Sequence, residues 1–216
     1  MLGDSIAFGL GASRPEDTLA PRLCRALSDD GIPVVAQVFA ASGARSADLG
    51  RQVDRALRWA PDVAVLVVGA NDLTHLVPTD QAVADLGAAL RRLRTAGCEV
   101  VVAPAPDLSA VPRVPPAMRD AVRRASERLR RAQVGVAEAH GARVADADGG
   151  TARAFAADRA LFSADRFHPS STGYAAIARA LLPHVRAACQ EACQDAGPDA
   201  GSAPGRAAAN GERGTG

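Results

Sequence analysis

The chain has 216 residues with 25 basic and 24 acidic side chains, a net charge of +1, so composition points to neither nucleic acid nor an anionic membrane surface as a partner. Every basic residue is an arginine. The absence of lysine excludes a Walker-A phosphate loop, a pyridoxal phosphate Schiff base and a Ser-x-x-Lys acylase, because each needs an ammonium that guanidinium does not replace.

Short apolar runs alternate with segments of helical period along the chain. Leu19, Leu23, Ala26 and Leu27 share one helix face, and residues 33–39 (Pro-Val-Val-Ala-Gln-Val-Phe) read as a strand. A helix carrying Leu49, Val53 and Leu57 follows, then a strand over 63–68, a helix carrying Val83, Leu86, Leu90 and Leu93, and a strand over 100–102. A long helix from about 116 to 140 buries Val122, Leu129 and Val136 and turns its arginines to solvent. A weak strand at 142–145 and a last helix over about 171–193 complete the pattern. Continuously apolar strands separated by helices predict a parallel sheet covered on both faces, an α/β/α sandwich. Residues 1–194 read as one domain. The Gly, Ala and Pro-rich stretch 195–216 lacks periodicity and is expected to be a disordered tail. No apolar run reaches the roughly 18 residues of a membrane span. Cys24, Cys98, Cys189 and Cys193 are expected as free thiols, and no His or Cys has metal-ligand spacing, so no metal is expected.

Ligands of open parallel sheets bind beyond the carboxyl ends of the strands, which directs attention to residues 3–13, 40–46, 69–78, 104–115 and 147–169. Gly3-Asp4-Ser5-Ile6 could expose a serine at a strand end. Ala41-Ser42-Gly43-Ala44 could aim a backbone N–H at an oxyanion. In Gly69-Ala70-Asn71-Asp72, Asn71 could donate its side-chain amide while Asp72 caps the next turn. Alone, the Gly-Asp-Ser segment is more often just a turn, and each of the other two loops is equally a simple turn. Asp165-Arg166-Phe167-His168-Pro169 places a carboxylate three residues ahead of an imidazole, the partner that a proton-accepting histidine needs to fix its tautomer. Pro169 keeps His168 extended and outside the last helix. His75 is a candidate for the pocket rim, while His140 and His184 fall on helices.

Together, Gly3-Asp4-Ser5, Gly43, Gly69-x-Asn71-Asp72 and Asp165-x-x-His168-Pro169 resemble the four ordered blocks of the SGNH (GDSL-type) hydrolases, most closely the bacterial GDSL-type lipase/acylhydrolase branch. The resemblance spans residues 1 to about 188, with Ile6 in place of the usual Leu. It implies a flavodoxin-like architecture with strand order 2-1-3-4-5. It also implies a serine esterase with Ser5 as nucleophile, His168 as base and Asp165 as its orienter. The implied oxyanion hole is the Ser5 and Gly43 backbone N–H groups and the Asn71 amide, with Asp4 and Asp72 bracing their loops. No cofactor is implied, and the partner is a small-molecule ester. Thioesterase or carbohydrate deacetylase activity fits the same blocks, and a non-catalytic binding module on the same scaffold is the competing class.

One departure stands out. Only Met1 and Leu2 precede Gly3, whereas strands commonly run about 5–6 residues, so the first strand reads as truncated. The chain as written carries no export signal and reads as cytoplasmic. An upstream extension could hold the missing strand and a secretion signal or membrane anchor.

Overall fold

The computed structural model describes residues 1–146 and 149–195. Its sheet has four parallel strands in the order β1 (Leu2–Gly3), β2 (Val63–Val67), β3 (Glu99–Ala103) and β4 (Arg143–Val144). Eight α-helices are present among the described residues: α1 (Ser5–Phe8), α2 (Leu19–Asp29), α3 (Leu49–Trp59), α4 (Ala70–Thr74), α5 (Thr79–Thr95), α6 (Arg119–Ala139), α7 (Gly150–Ala157) and α8 (Ser171–Asp195).

Apart from Glu99 at the start of β3, the central strands are apolar at every position because both faces are covered. Ala64, Leu66, Val100 and Val102 point to one side, where they pack on Leu49 and Val53 of α3 and on Leu86, Leu90 and Leu93 of α5. Val65, Val67 and Val101 point to the other, against Leu19, Leu23 and Leu27 of α2 and Tyr174, Leu181 and Val185 of α8. The alternation of period two within each strand thus builds a core on each face and the three layers of an α/β/α sandwich. Arg123, Arg124, Arg128 and Arg131 of α6 face solvent as expected, with Arg123 on Asp120 and Arg131 on Glu127, whereas Arg130 turns inward to the Asp146 carbonyl and Arg119 is half-buried.

Two expected features differ. Residues 33–39 form no regular strand. They run extended beside β1, tied by Met1 N to the Gln37 carbonyl at 2.8 Å, Phe39 N to the Met1 carbonyl at 2.9 Å and Ala41 N to the Gly3 carbonyl at 3.1 Å. With only two residues in β1, too few backbone groups face this segment to propagate a ladder, and Pro33 has no N–H to give. The regular order is therefore β1-β2-β3-β4, without the outer member of the expected 2-1-3-4-5. Residues 147–169, expected as a loop, contain α7, whose alanine-rich Gly150–Ala157 has high helix propensity. The expected tail, 195–216, lies outside the described residues apart from Asp195 at the end of α8.

The register pairs Leu2 with Leu66 and Gly3 with Val67, so no described strand residue pairs with Val63–Val65 on that side. A cavity of about 580 Å³ lies there, lined by Met1, Leu23, Leu27, Val34, Val65 and Val185 among others. Among the described residues, no helix is long and apolar enough to cross a membrane.

Buried glutamines brace the carboxyl ends of the strands. Gln52, on the apolar stripe of α3, accepts from Gly3 N at 2.6 Å and donates to the Gly3 carbonyl at 2.9 Å. Gln133 of α6, fully buried, accepts from Ala105 N at 2.7 Å and donates to the Val68 carbonyl at 3.2 Å. Each carboxamide presents the donor and acceptor that a further strand would otherwise supply. Replacing Gln52 with leucine leaves the buried Gly3 N–H unsatisfied, at about 1–3 kcal/mol, while the Gly3 carbonyl keeps the Ala41 N–H. Gln52→Leu is expected to lower the unfolding free energy by about 1–3 kcal/mol in urea titration, with an unchanged m-value.

Candidate active site

The site begins where β1 ends. Gly3 has φ 128°, and a Cβ there would sit 1.8 Å from the Val67 carbonyl oxygen, so both conformation and space demand glycine. The chain then turns into α1 with Asp4 as N-cap, its carboxylate accepting from Ile6 N at 2.9 Å. Ser5 becomes the first helical residue and is 4% exposed. The following loop is fixed from α8, where the buried Tyr174 hydroxyl donates to the Leu10 carbonyl at 2.8 Å. At Gly11 a Cβ would lie 2.9 Å from the His168 Cβ and 2.6 Å from the Pro169 carbonyl oxygen, so this glycine lets the first loop close on the last.

Asp165 to His168 form a tight turn that requires a left-handed residue at Arg166, φ 58°. Inside it, Asp165 Oδ1 accepts from the Ser163 hydroxyl at 2.8 Å, Phe167 N at 2.8 Å and His168 N at 2.9 Å. Oδ2 lies 2.6 Å from His168 Nδ1, and His168 Nε2 lies 3.1 Å from Ser5 Oγ. A carboxylate only accepts, so Nδ1 carries the hydrogen and Nε2 presents its lone pair to the serine hydroxyl. Partial burial works against the Asp165 charge, but the hydrogen bonds from His168, Phe167 and Ser163 outweigh it and hold the carboxyl well below the usual carboxylate range. The Phe167 ring packs edge-on to the imidazole, centroids 4.9 Å apart, which restricts its rotation.

The other two loops meet beside Ser5. Ala41 N donates to the Gly3 carbonyl at 3.1 Å, and the Asn71 amide donates to the Ala44 carbonyl at 3.0 Å, leaving its second hydrogen for another acceptor. Gly43, between these anchors, has φ 79° with open space around its Cα. Among the described residues, neither the Ser5 N–H nor the Gly43 N–H donates to a protein acceptor. Asp72 does not cap the turn after it. Its carboxylate instead accepts from Ser46 N at 3.1 Å and the Ser46 hydroxyl at 3.0 Å, which locks the Gly43 loop to α4. His75 is exposed, with Nδ1 2.9 Å from the Asn71 carbonyl oxygen.

Asp4 and Asp72, both 1% exposed, lie beneath the site. Burial pushes the Asp4 carboxyl up to about 7, helped by the neighbouring Asp72 charge, and Asp4 Oδ2 has no hydrogen-bond partner. Burial also raises Asp72, against the opposing effect of the Ser46 hydrogen bonds. Ser46, Gln52, Ser163 and Tyr174 all hold this geometry and were not singled out by the sequence. Only Gln52 carried a signal, a carboxamide on the stripe that includes Leu49, Val53 and Ala56.

All five expected residues therefore converge on one end of the sheet. Residues 1–176 match the model of the GDSL-like lipase/acylhydrolase family. The GDSL-like esterase Rv1075c of Mycobacterium tuberculosis (strain ATCC 25618 / H37Rv) is 34% identical over 211 residues, covering 96% of this chain and 67% of that protein. Among solved structures, a catalytic mutant of Axe2, an acetylxylan esterase from Geobacillus stearothermophilus, superposes with a TM-score of 0.69 at 20% identity, covering 85% of this chain and 91% of its own. TesA superposes at 0.71 with 21% identity, covering 87% and 97%, and the lipase/acylhydrolase from Enterococcus faecalis at 0.67 with 22%, covering 86% and 94%. These structures share the fold, and the chain belongs to the GDSL-like lipase/acylhydrolase family.

Proposed function

We propose that this ester-bond hydrolase works through an acyl-enzyme on Ser5, with His168 as general base and Asp165 as its orienter. The observation that carries the reading is the unbroken relay from Ser5 Oγ through the imidazole to Asp165, 3.1 Å and 2.6 Å long. His168 Nε2 takes the hydroxyl proton as Oγ attacks the ester carbonyl carbon. The carbonyl π electrons move to oxygen, and the Ser5 N–H, the Gly43 N–H and the second Asn71 amide hydrogen are the donors for that oxyanion. Collapse of the intermediate breaks the bond to the alcohol oxygen, which receives the proton from His168. Water, deprotonated by the same nitrogen, then releases the carboxylic acid and restores Ser5. Asp165 keeps its charge throughout, stabilising the imidazolium formed in each half-reaction.

Loss of Ser5 removes the covalent step, and loss of Asn71 removes one oxyanion donor. On p-nitrophenyl butyrate, Ser5→Ala is expected to lower kcat by about 10³-fold or more, and Asn71→Ala by about 10²–10³-fold, with KM less affected. Equal rates for wild type and Ser5→Ala would sink the assignment and favour a binding module on this scaffold.

Asp4 gives the protein a distinct pH signature. An acid whose folded-state value is raised contributes stability below its unfolded value, near 4, and loses it as pH rises toward about 7. At about 1.4 kcal/mol per pKa unit, the loss is on the order of 4 kcal/mol. Relative to wild type, Asp4→Asn is expected to be more stable at pH 7.5 than at pH 4.5, measured by urea unfolding at both values.

A further inference from the structure

Beside Ser5 lies an apolar cavity of about 110 Å³, walled by Leu108, Phe155, Phe162, Phe167 and Leu181. The Phe155 and Phe162 rings meet edge to face, centroids 5.0 Å apart, and stiffen one wall. Ser5 and His168 line this cavity, whereas Gly43 and Asn71 do not, so it opens on a different flank of the serine from the oxyanion donors. We propose that this cavity is the acyl subsite and that it selects unbranched acyl chains of roughly four to six carbons, with Ala152 and Phe155 of α7 setting its depth. The inference rests on the Ser5 reading above.

Two arguments assign the acyl group, and not the alcohol, to the cavity. The acyl chain stays bonded to Ser5 between the two half-reactions, while the alcohol must depart and water must enter by the route it leaves. A recess suits the part that stays. The size limit follows from comparison, since an apolar cavity of about 150 Å³ holds benzene. At the same volume per carbon, about 110 Å³ takes about four carbons beyond a carbonyl that stays at Ser5, the tail of a butyryl to hexanoyl chain, and is underfilled by acetyl. The lining turns polar at Arg130, Asp146 and Thr151, and a longer chain would have to strip water from those groups without replacing their hydrogen bonds. Arg130 is held there by the Asp146 carbonyl, so it does not swing aside freely.

A chain-length series of p-nitrophenyl esters, acetate to palmitate, tests the assignment on the full chain. Each buried methylene is worth about fourfold in kcat/KM, so butyrate should exceed acetate by about 15-fold, with a maximum between butyrate and hexanoate. Ala152→Leu, which fills the recess, should lower the hexanoate-to-acetate ratio by about tenfold, and Phe155→Ala should move the maximum to longer chains. A second measurement uses no turnover. Sodium hexanoate, but not sodium acetate, should raise the Tm of Ser5→Ala, and Ala152→Leu in that background should abolish the rise. Acetate as the best wild-type substrate, an unchanged ratio in Ala152→Leu, or no hexanoate-dependent Tm shift would each overturn the subsite. Hydrolysis surviving in Ser5→Ala would break the nucleophile assignment instead, and the Tm shift would then decide the cavity by itself.

Discussion

The backbone of Gly3 has to leave the sheet while still inside the protein, and the rest of the site depends on how that exit is satisfied. A strand that stops pairing in a buried place exposes polar groups that water cannot reach. Here Gln52 closes over both the N–H and the carbonyl of Gly3, and Asp4 N continues onto the Val67 carbonyl at 3.0 Å. Only then can the chain turn sharply into α1. The serine is presented at a strand end because the Gly3 and Asp4 backbone groups ahead of it already have partners. The Ser5 and Gly43 N–H groups, which have no protein acceptor among the described residues, are those that face the reacting carbonyl in the proposed chemistry.

Three aspartates from separate parts of the chain behave differently for reasons of environment alone. Asp165, in a partly exposed turn, collects four donors and stays charged. Asp72 is buried but receives both the N–H and the hydroxyl of Ser46, and so joins two loops. Asp4 is buried with one oxygen unpartnered, which raises its carboxyl to about 7 and keeps it protonated at pH values where an exposed aspartate is charged. The same side chain thus serves as imidazole orienter, loop clasp and helix cap, according to how many donors reach it.

Much of this was legible in the sequence. Residues 63–67 and 100–103 are continuously apolar and rich in valine, and the blocks around Ser5 and Asn71 directly follow β1 and β2. Less was legible where identity and partner separate. Residues 33–39 have strand composition yet form no strand, because the neighbour at β1 is too short to complete a ladder, and that depends on the partner. Ser46 and Tyr174 act through contacts far apart in the chain, such as the 164-residue separation between Tyr174 and Leu10, and Ser163 through a turn whose shape the sequence does not spell out. Gln52 and Gln133 could have been suspected from register alone, since each interrupts an apolar stripe with a side chain that has no reason to be buried unless it meets backbone.

The two-residue pairing of β1 with β2 has a consequence for how the molecule fails. The cores on either face of the sheet are held by long helices, whereas the strand leading into Ser5 is held by two residue pairs with β2, a few backbone bonds to the extended segment beside it and a carboxamide. Local opening starts where few bonds must break together. Heating would therefore release the Ser5 turn while α5, α6 and α8 remain packed. Thermal inactivation would run ahead of the loss of helical signal, so the protein's working lifetime would be set by its seam and not by its core.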